Sequence, residues 1–262
     1  MINEKVKRSI IDDVVTLKNR GINPIIVHGG GPVIQKLLDE VDIESTFVDG
    51  HRKTDTETMN YVEMALNGSV NSELVSLIDQ AGYKAVGLSG KDGNIATAQK
   101  RTHEVKLDGQ KKEVDLGHVG DIDRIDPSLV LLLVNNDYIP VISPVAGSNN
   151  GNTYNVNADM FAGHMAGALG AARYIVLTNV EGLQVDSEDA STLIEQITIQ
   201  EAQSEIGHFI QGGMIPKVES CIIALEEGVS SVHIINGVKS YNILRTLLTD
   251  ESIGSRIIGN NA

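Results

Sequence analysis

Ile25-Ile26-Val27-His28-Gly29-Gly30-Gly31-Pro32 (residues 25–32, IIVHGGGP) runs a short apolar segment straight into three glycines and a proline. Side chains give way to bare backbone where a strand ends and a helix is about to begin. Such a junction leaves several N–H groups able to approach an anion closely, at the positive end of the helix that follows. No Gly-Lys-Ser/Thr comes after it, so it is not a Walker A loop, and the dinucleotide spacing G-x-G-x-x-G is absent. A tight strand-to-helix turn would also use glycine. Three in a row exceed what a turn requires, which favours an anion site.

Outward from this stretch, strands and helices alternate. Val6, Ile10, Val14 and Leu17 predict a helix over residues 5–18, stopped by Gly21 before a strand from Pro24 to His28. A helix is expected from about Val33. Thr54 with Glu57 reads as a capping box for another, running to about Gln80 and closed by Gly82. KAVGLSG is a strand, and residues 98–121 suit edge hairpins or a flap. Then come a helix from Pro127 to Asn135, the strand YIPVISP, a glycine-rich turn, a helix from Asn157 to Leu169 and the strand RYIVLTNV. Thr198 with Glu201 caps a further helix, Pro216 opens the next, SSVHIING is a strand, and Tyr241 to Leu248 is a last helix. The alternation predicts an α/β fold with a mostly parallel sheet covered on both faces, and ligands at the carboxyl ends of its strands. The segment 98–155 is the best place for a boundary between lobes.

Composition narrows the partners. With 262 residues, 41% of them hydrophobic, the chain can bury a real core. Lys plus Arg number 21 against 35 Asp plus Glu, a formal charge of −14, which disfavours nucleic acid and anionic membrane as bulk partners. An anion must therefore be captured locally. Cys221 is alone, which excludes an intrachain disulfide, and no apolar run approaches the roughly 18 residues of a membrane span, so the expectation is a cytoplasmic protein.

Three further stretches could carry chemistry. In VDGHRKT, Arg52 stands in an expected loop just before a capped helix, where a guanidinium could hold a carboxylate bidentately or simply face water. In TYNVNADMFAGHMAGALG, Asn155 and Asn157 precede a helix with Asp159 in its first turn. Capping and the helix dipole explain one Asn and the Asp; the surplus suggests polar contacts to a ligand or a lysine. In QGGMIPKVES, Pro216 puts Lys217 at the positive end of a helix, where a cation is disfavoured by about 0.3–1 kcal/mol unless an anionic ligand reverses the sign. LTNVEGL, residues 177–183, is an ordinary strand-to-helix connection when read alone.

Taken in order, IIVHGGGP, VDGHRKTDTETM, VGLSGKDG, LGHVG, YNVNAD, LTNVEGL and GGMIPKVESC resemble the acetylglutamate kinase branch of the amino acid kinase family, from about residue 5 to the C-terminus. The tail LTDESIGSRI resembles that of its arginine-inhibited members. The resemblance implies a single domain over 1–262, an open three-layer α/β/α sandwich around a mostly parallel sheet. Its lobes would be an acyl amino acid-binding one with a dimer surface, about 1–155, and a nucleotide-binding one, about 156–262. It implies phosphoryl transfer from ATP, with Mg2+ carried by the nucleotide, to the side-chain carboxylate of N-acetyl-L-glutamate. A sister kinase acting on acetylaminoadipate, or a non-catalytic ligand-binding homologue, are the alternatives. The implied partners are a homodimer or higher homo-oligomer and arginine as feedback inhibitor.

Residue by residue, the resemblance gives Lys217 and Asp159 catalytic roles and places Gly30, Gly31, Arg52 and Asn155 at the acyl amino acid. Asn179, Val180, Glu181, Gly182, Leu183 and Gln184, with Phe209, Ile210, Gln211, Gly212, Gly213 and Met214, would border the nucleotide. Asn179 stands where the family usually has Asp, which would weaken a nucleotide contact. The family also begins with a strand ending in Lys-x-Gly-Gly, whose lysine is the second phosphate-stabilising cation. The resemblance starts just after that segment, so the sequence as printed is expected to lack it, through a misassigned start or a shortened chain in preference to an evolved loss, and to be poorly stable and of low activity.

Overall fold

The computed structural model describes residues 4–48, 50–107, 110–186 and 189–259. In chain order the first elements are α1 (Glu4–Asn19), β1 (Ile26–Val27), α2 (Gly31–Glu40), β2 (Phe47–Val48), β3 (His51–Arg52) and α3 (Thr56–Glu63). A π-helical stretch (Met64–Asn71) follows without a break, then α4 (Ser72–Gln80) and β4 (Ala85–Ser89). Next are β5 (Ala96–Lys100), β6 (His103–Leu107), β7 (Gln110–Val114), β8 (Val119–Ile125), α5 (Ser128–Asn135), β9 (Ile139–Ser143), β10 (Val145–Gly147) and β11 (Thr153–Val156). The chain finishes with α6 (Ala158–Ala168), β12 (Tyr174–Thr178), β13 (Gln196–Thr198), α7 (Ile199–Glu205), α8 (Met214–Glu226), β14 (Val232–Asn236), α9 (Asn242–Leu248) and β15 (Ser255–Ile258).

Contacts divide these into two compact units. The first holds Ile25–Ser76 with Ala85–Phe161; the second gathers the chain up to Pro24, Leu77–Lys84 and the residues from Ala162 onward. The residues before Pro24 thus group with the C-terminal part rather than with the lobe of about 1–155. The reason is local packing: α1 lies against α9, and Leu17 is buried with Ile235 and Ile243.

In the first unit β1, β9 and β4 form a parallel sheet in that order, with Val27 opposite Ile142 and Ser89 opposite Ser143. All three strands end on one edge. β9 reads IPVIS and is buried at every position, as a strand covered on both faces should be. Ile34 and Leu38 of α2, Met59 and Val62 of α3, and Ala65 and Leu66 of the π-helical stretch share one apolar cluster. β5, β8, β11 and β10 close into a four-stranded ring, and β6 pairs with β7 as an antiparallel hairpin, as the polar segment suggested.

The second unit is built on β12, β14, β15 and β13 in that order. β12 with β14 and β13 with β15 are parallel, whereas β14 with β15 is antiparallel. Val176, Ile234 and Ile257 of this sheet are buried with Ala202 of α7 and Val218, Cys221 and Ala224 of α8. The Thr198–Glu201 capping box is present, hydroxyl and carboxylate each satisfying the other residue's backbone N–H.

Local expectations shift in three places. The helix after Arg52 is capped by Asp55, which accepts from the Thr58 N–H at 2.8 Å, because the Thr54 hydroxyl is taken by the Arg52 carbonyl. The helix after the glycines begins at Gly31, since the Gly30 carbonyl already accepts from Val33 and Ile34, and Pro32 sits in the first turn where no N–H is needed. Residues 145–156, read as a turn, are largely the short strands β10 and β11. Tyr154 and Val156 face the interior while Thr153 and Asn155 face the other way, too brief an alternation to register in the sequence.

Candidate functional site

The predicted residues fall into two groups, one on each unit, and in each group one segment leaves the end of a parallel strand, the glycine turn after β1 and Asn179 after β12. In the first unit the glycine turn follows β1, and Gly30 is held closely. A Cβ there would come within 2.7 Å of Leu66 Cδ2 and 3.1 Å of Val70 Cγ2. At Gly31 a Cβ would meet open space. Beside the turn lies the first residue of α6, with Ala158 Cβ 3.5 Å from where a Cβ on Gly29 would stand. Asp159 follows in the first turn of α6, and the Asn157 side chain caps that turn by accepting from the N–H groups of Asp159 (2.9 Å) and Met160 (3.1 Å).

Arg52 is not a solvated arginine. It is 8% exposed on β3, and its Nη1 donates to Gln35 Oε1 at 2.8 Å and to Ser45 Oγ. Nη2 reaches the Gly31 carbonyl at 3.5 Å, which ties the arginine to the glycine turn. Burial lowers its pKa from the ordinary arginine value, opposed by the charge of Asp39; the guanidinium stays a cation. Asn155, on β11, joins the same neighbourhood through backbone: its N–H donates to the His118 carbonyl at 2.9 Å, and the His118 N–H donates to the Thr54 carbonyl at 2.5 Å.

In the second unit, β12 and β14 end side by side at Thr178 and Asn236. The segment from Asn179 to Gln184 leaves that edge. Asn179 is exposed, whereas Glu181 accepts from Asn236 Nδ2 at 3.1 Å and pairs with Lys239 at 2.8 Å. The Lys239 hydrogen bond pulls the Glu181 carboxyl below its ordinary pKa. The Leu183 N–H donates to Ser255 Oγ at 2.7 Å, and Gly182 lies so near Ser255 that a Cβ would stand 2.5 Å from Oγ. Val180 and Gln184 are half-buried, and Gln184 bridges to Leu193.

Phe209 to Met214 runs into α8. Ile210 is fully buried and bridges Ile206, Gly212 takes φ +53°, and the Gln211 carbonyl accepts from the Met214 N–H at 3.0 Å. Gln211, Gly212 and Gly213 are exposed, with Gly213 as the N-cap. Lys217 is half-buried in the first turn of α8, as the proline suggested. Leu183, Ile210 and Val218 share one core, so three segments distant in sequence are anchored together.

Several supporting residues carried no signal in the sequence: Gln35, Ser45 and Phe47 around Arg52, Asn236, Lys239 and Ser255 around residues 179–184, and His28 with Asn71 beneath the glycine turn. Among the described residues no helix is long and apolar enough to cross a membrane.

These arrangements put bare backbone at the end of β1, a buried arginine beside it and a lysine in the first turn of α8, the kinds of group that hold carboxylates and phosphates. Comparison with known proteins points the same way. The chain is 46% identical to the acetylglutamate kinase of Methanocaldococcus jannaschii over 259 residues, 98% of this chain and 86% of that one. It is 45% identical to the acetylglutamate kinase of Halothermothrix orenii over 98% of this chain and 87% of that one. The crystal structure of smu.665 from Streptococcus mutans UA159 superposes with a TM-score of 0.76 at 30% identity, covering 95% of this chain and 91% of that one. The model of the amino acid kinase family matches residues 2–236, and the chain belongs to that family.

Proposed function

We propose that this chain transfers the γ-phosphoryl group of ATP to the side-chain carboxylate of N-acetyl-L-glutamate, giving N-acetyl-L-glutamyl 5-phosphate. The observation that carries this reading is the near-full-length similarity to acetylglutamate kinases. The buried, hydrogen-bonded Arg52 supports it, since a carboxylate substrate needs a cation whose position is already fixed.

In this reading Arg52 and Asn155 bind the acyl amino acid. Gly30 and Gly31 offer backbone N–H groups where carboxylate meets phosphate. Residues 179–184 and 209–214 border the nucleotide, Lys217 stabilises the charge on the transferring group, and Asp159 orients the lysine. A carboxylate oxygen attacks the γ-phosphorus as the bond to the β-phosphate oxygen breaks, and ADP leaves. The nucleophile is already ionised, so no general base is required. What the site must supply is positioning and positive charge around the equatorial oxygens.

Mg2+ would screen the phosphate charges. In this reading the ion is carried by the nucleotide, held largely by phosphates and water. A homodimer or higher homo-oligomer, feedback binding of arginine and a cytoplasmic setting complete the proposal; they rest on the family resemblance.

The test is ADP release on mixing the chain with ATP, Mg2+ and N-acetyl-L-glutamate, with hydroxylamine trapping the acyl phosphate as a hydroxamate. Turnover with hydroxamate formation is expected. Preference for acetylaminoadipate, or ligand binding without turnover, would overturn the reading.

A further inference from the structure

Beneath the glycine turn lies a buried polar pair that the reaction above does not use. His28 directly follows β1 and is 8% exposed. Its Nε2 lies 3.0 Å from Asn71 Nδ2, and an amide nitrogen can only donate, so Nε2 accepts and the ring proton sits on Nδ1. The orientation of Asn71 follows from its other partners: Nδ2 also faces the carbonyl oxygens of Val141 at 2.9 Å and Leu88 at 3.3 Å, which the amide oxygen could not. His28 Nδ1 in turn lies 3.0 Å from the Gly29 carbonyl oxygen, to which it donates. Burial lowers the imidazole pKa, in keeping with a neutral ring.

That one hydrogen bond sets the direction of another group. No cis peptide occurs among the described residues, and a trans peptide points its C=O and N–H to opposite sides. Holding the Gly29 carbonyl therefore fixes where the Gly30 N–H points, and that N–H has no acceptor among the described residues. The position of Gly30 is fixed by Leu66 and Val70. Leu66, Val70 and Asn71 all lie on the π-helical stretch, as does Asn67, which accepts from the Ser143 hydroxyl at the end of β9. π-helical insertions recur at functional sites because they shift side chains out of the ordinary helical register.

We propose that His28 is a positioning residue for phosphoryl transfer: its Nδ1–H, oriented by Asn71 on the π-helical stretch, holds the Gly29 carbonyl and thereby aims the Gly30 N–H at the oxygen on which negative charge develops. This rests on the proposed kinase reading. His28 touches neither substrate; it acts through the peptide it holds.

Two substitutions separate this role from packing. His28→Asn places an amide N–H near the position of Nδ1, whereas His28→Gln extends toward the position of Nε2 and loses the donor to Gly29. The expected result is that His28→Asn keeps kcat within about threefold of the parent. His28→Gln lowers it by about tenfold to a hundredfold with both KM values nearly unchanged, somewhat less than the ~10²–10³ that follows loss of a whole oxyanion donor. Equal losses in the two variants, or a loss confined to KM, would overturn the proposal. The second measurement is the imidazole nitrogen shift of His28 in the parent chain without substrate, by 15N NMR. An Nδ1–H tautomer is expected; Nε2–H would overturn the assignment whatever the variants do. Absence of acetylglutamate turnover in the parent would count against the proposed substrate, and the tautomer would still decide the role of His28.

Discussion

The guanidinium of Arg52 lies over the ring of Phe47, its Cζ 4.6 Å from the ring centroid. Stacking on one face and hydrogen bonds to Gln35 and Ser45 along the edge leave the fork little freedom. An ammonium cannot reproduce that geometry, being a point charge without a plane. Arg52→Lys is therefore expected to raise KM for N-acetyl-L-glutamate by about tenfold or more, equivalent to losing a charge-assisted hydrogen bond. KM for ATP should be unchanged. Steady-state kinetics with each substrate varied in turn checks this, and a parallel rise in both KM values would count against it.

Gly30 and Gly31 are neighbours with different constraints. At Gly30 a methyl group would press on Leu66 and Val70; at Gly31 it would enter open space. Gly30→Ala should lose about 1–3 kcal/mol of stability through overpacking, along with activity. Gly31→Ala should fold as the parent does and lose activity alone. Urea denaturation beside turnover separates the two, and equal stability losses would contradict the packing argument.

Ser255 lies far along the chain from the 179–184 segment yet takes the Leu183 N–H as its donor. Leu183 is 1% exposed, so removal of that hydroxyl leaves a buried donor unpaired at a cost of about 1–3 kcal/mol. Ser255→Ala should weaken ADP binding, measured by isothermal titration, and leave KM for the acyl amino acid as it was. Unaltered ADP affinity would show that this loop does not hold the nucleotide.

Asp13 on α1 is 3% exposed and serves α9, whose own N-cap, Tyr241, makes no side-chain cap. The backbone N–H groups of Leu244 and Ile243 favour its ionised form, while its Oδ1 has no partner among the described residues. Burial raises its pKa from 3.8 to about 6, outweighing those hydrogen bonds. The folded state thus holds the proton more tightly than the unfolded one. Its contribution favours folding below about pH 4 and is lost as pH rises toward about 6. Asp13→Asn removes this titration. Relative to the parent, the variant should melt higher at pH 8 than at pH 4; a difference in Tm that does not change with pH would sink the idea.

Much of the fold was legible because its signals are local. Helical spacing in residues 5–18, the Thr198–Glu201 box and the glycines at strand ends each depend on residues within a turn or two, and all appear where expected. The cap at Asp55 was misread for the opposite reason: Thr54 had the right type and spacing, but its hydroxyl was claimed by Arg52. Arg52 itself could be given a ligand only through resemblance, because nothing nearby in sequence shows that β3 buries it beneath Phe47 and beside Gln35.

By itself the sequence determined the alternation of the principal strands and helices, the bare backbone after β1 and the lysine at the start of α8, since each follows from local chemistry, whereas the short strands β3, β10 and β11 did not register. Only the tertiary structure decided what holds these parts in place. Asn71 beneath His28, Ser255 behind Leu183 and Asp13 at the start of α9 join residues tens to hundreds of positions apart. No local pattern marks such pairs, because a side chain acquires a partner only when folding has buried it and brought a complementary group within hydrogen-bond reach.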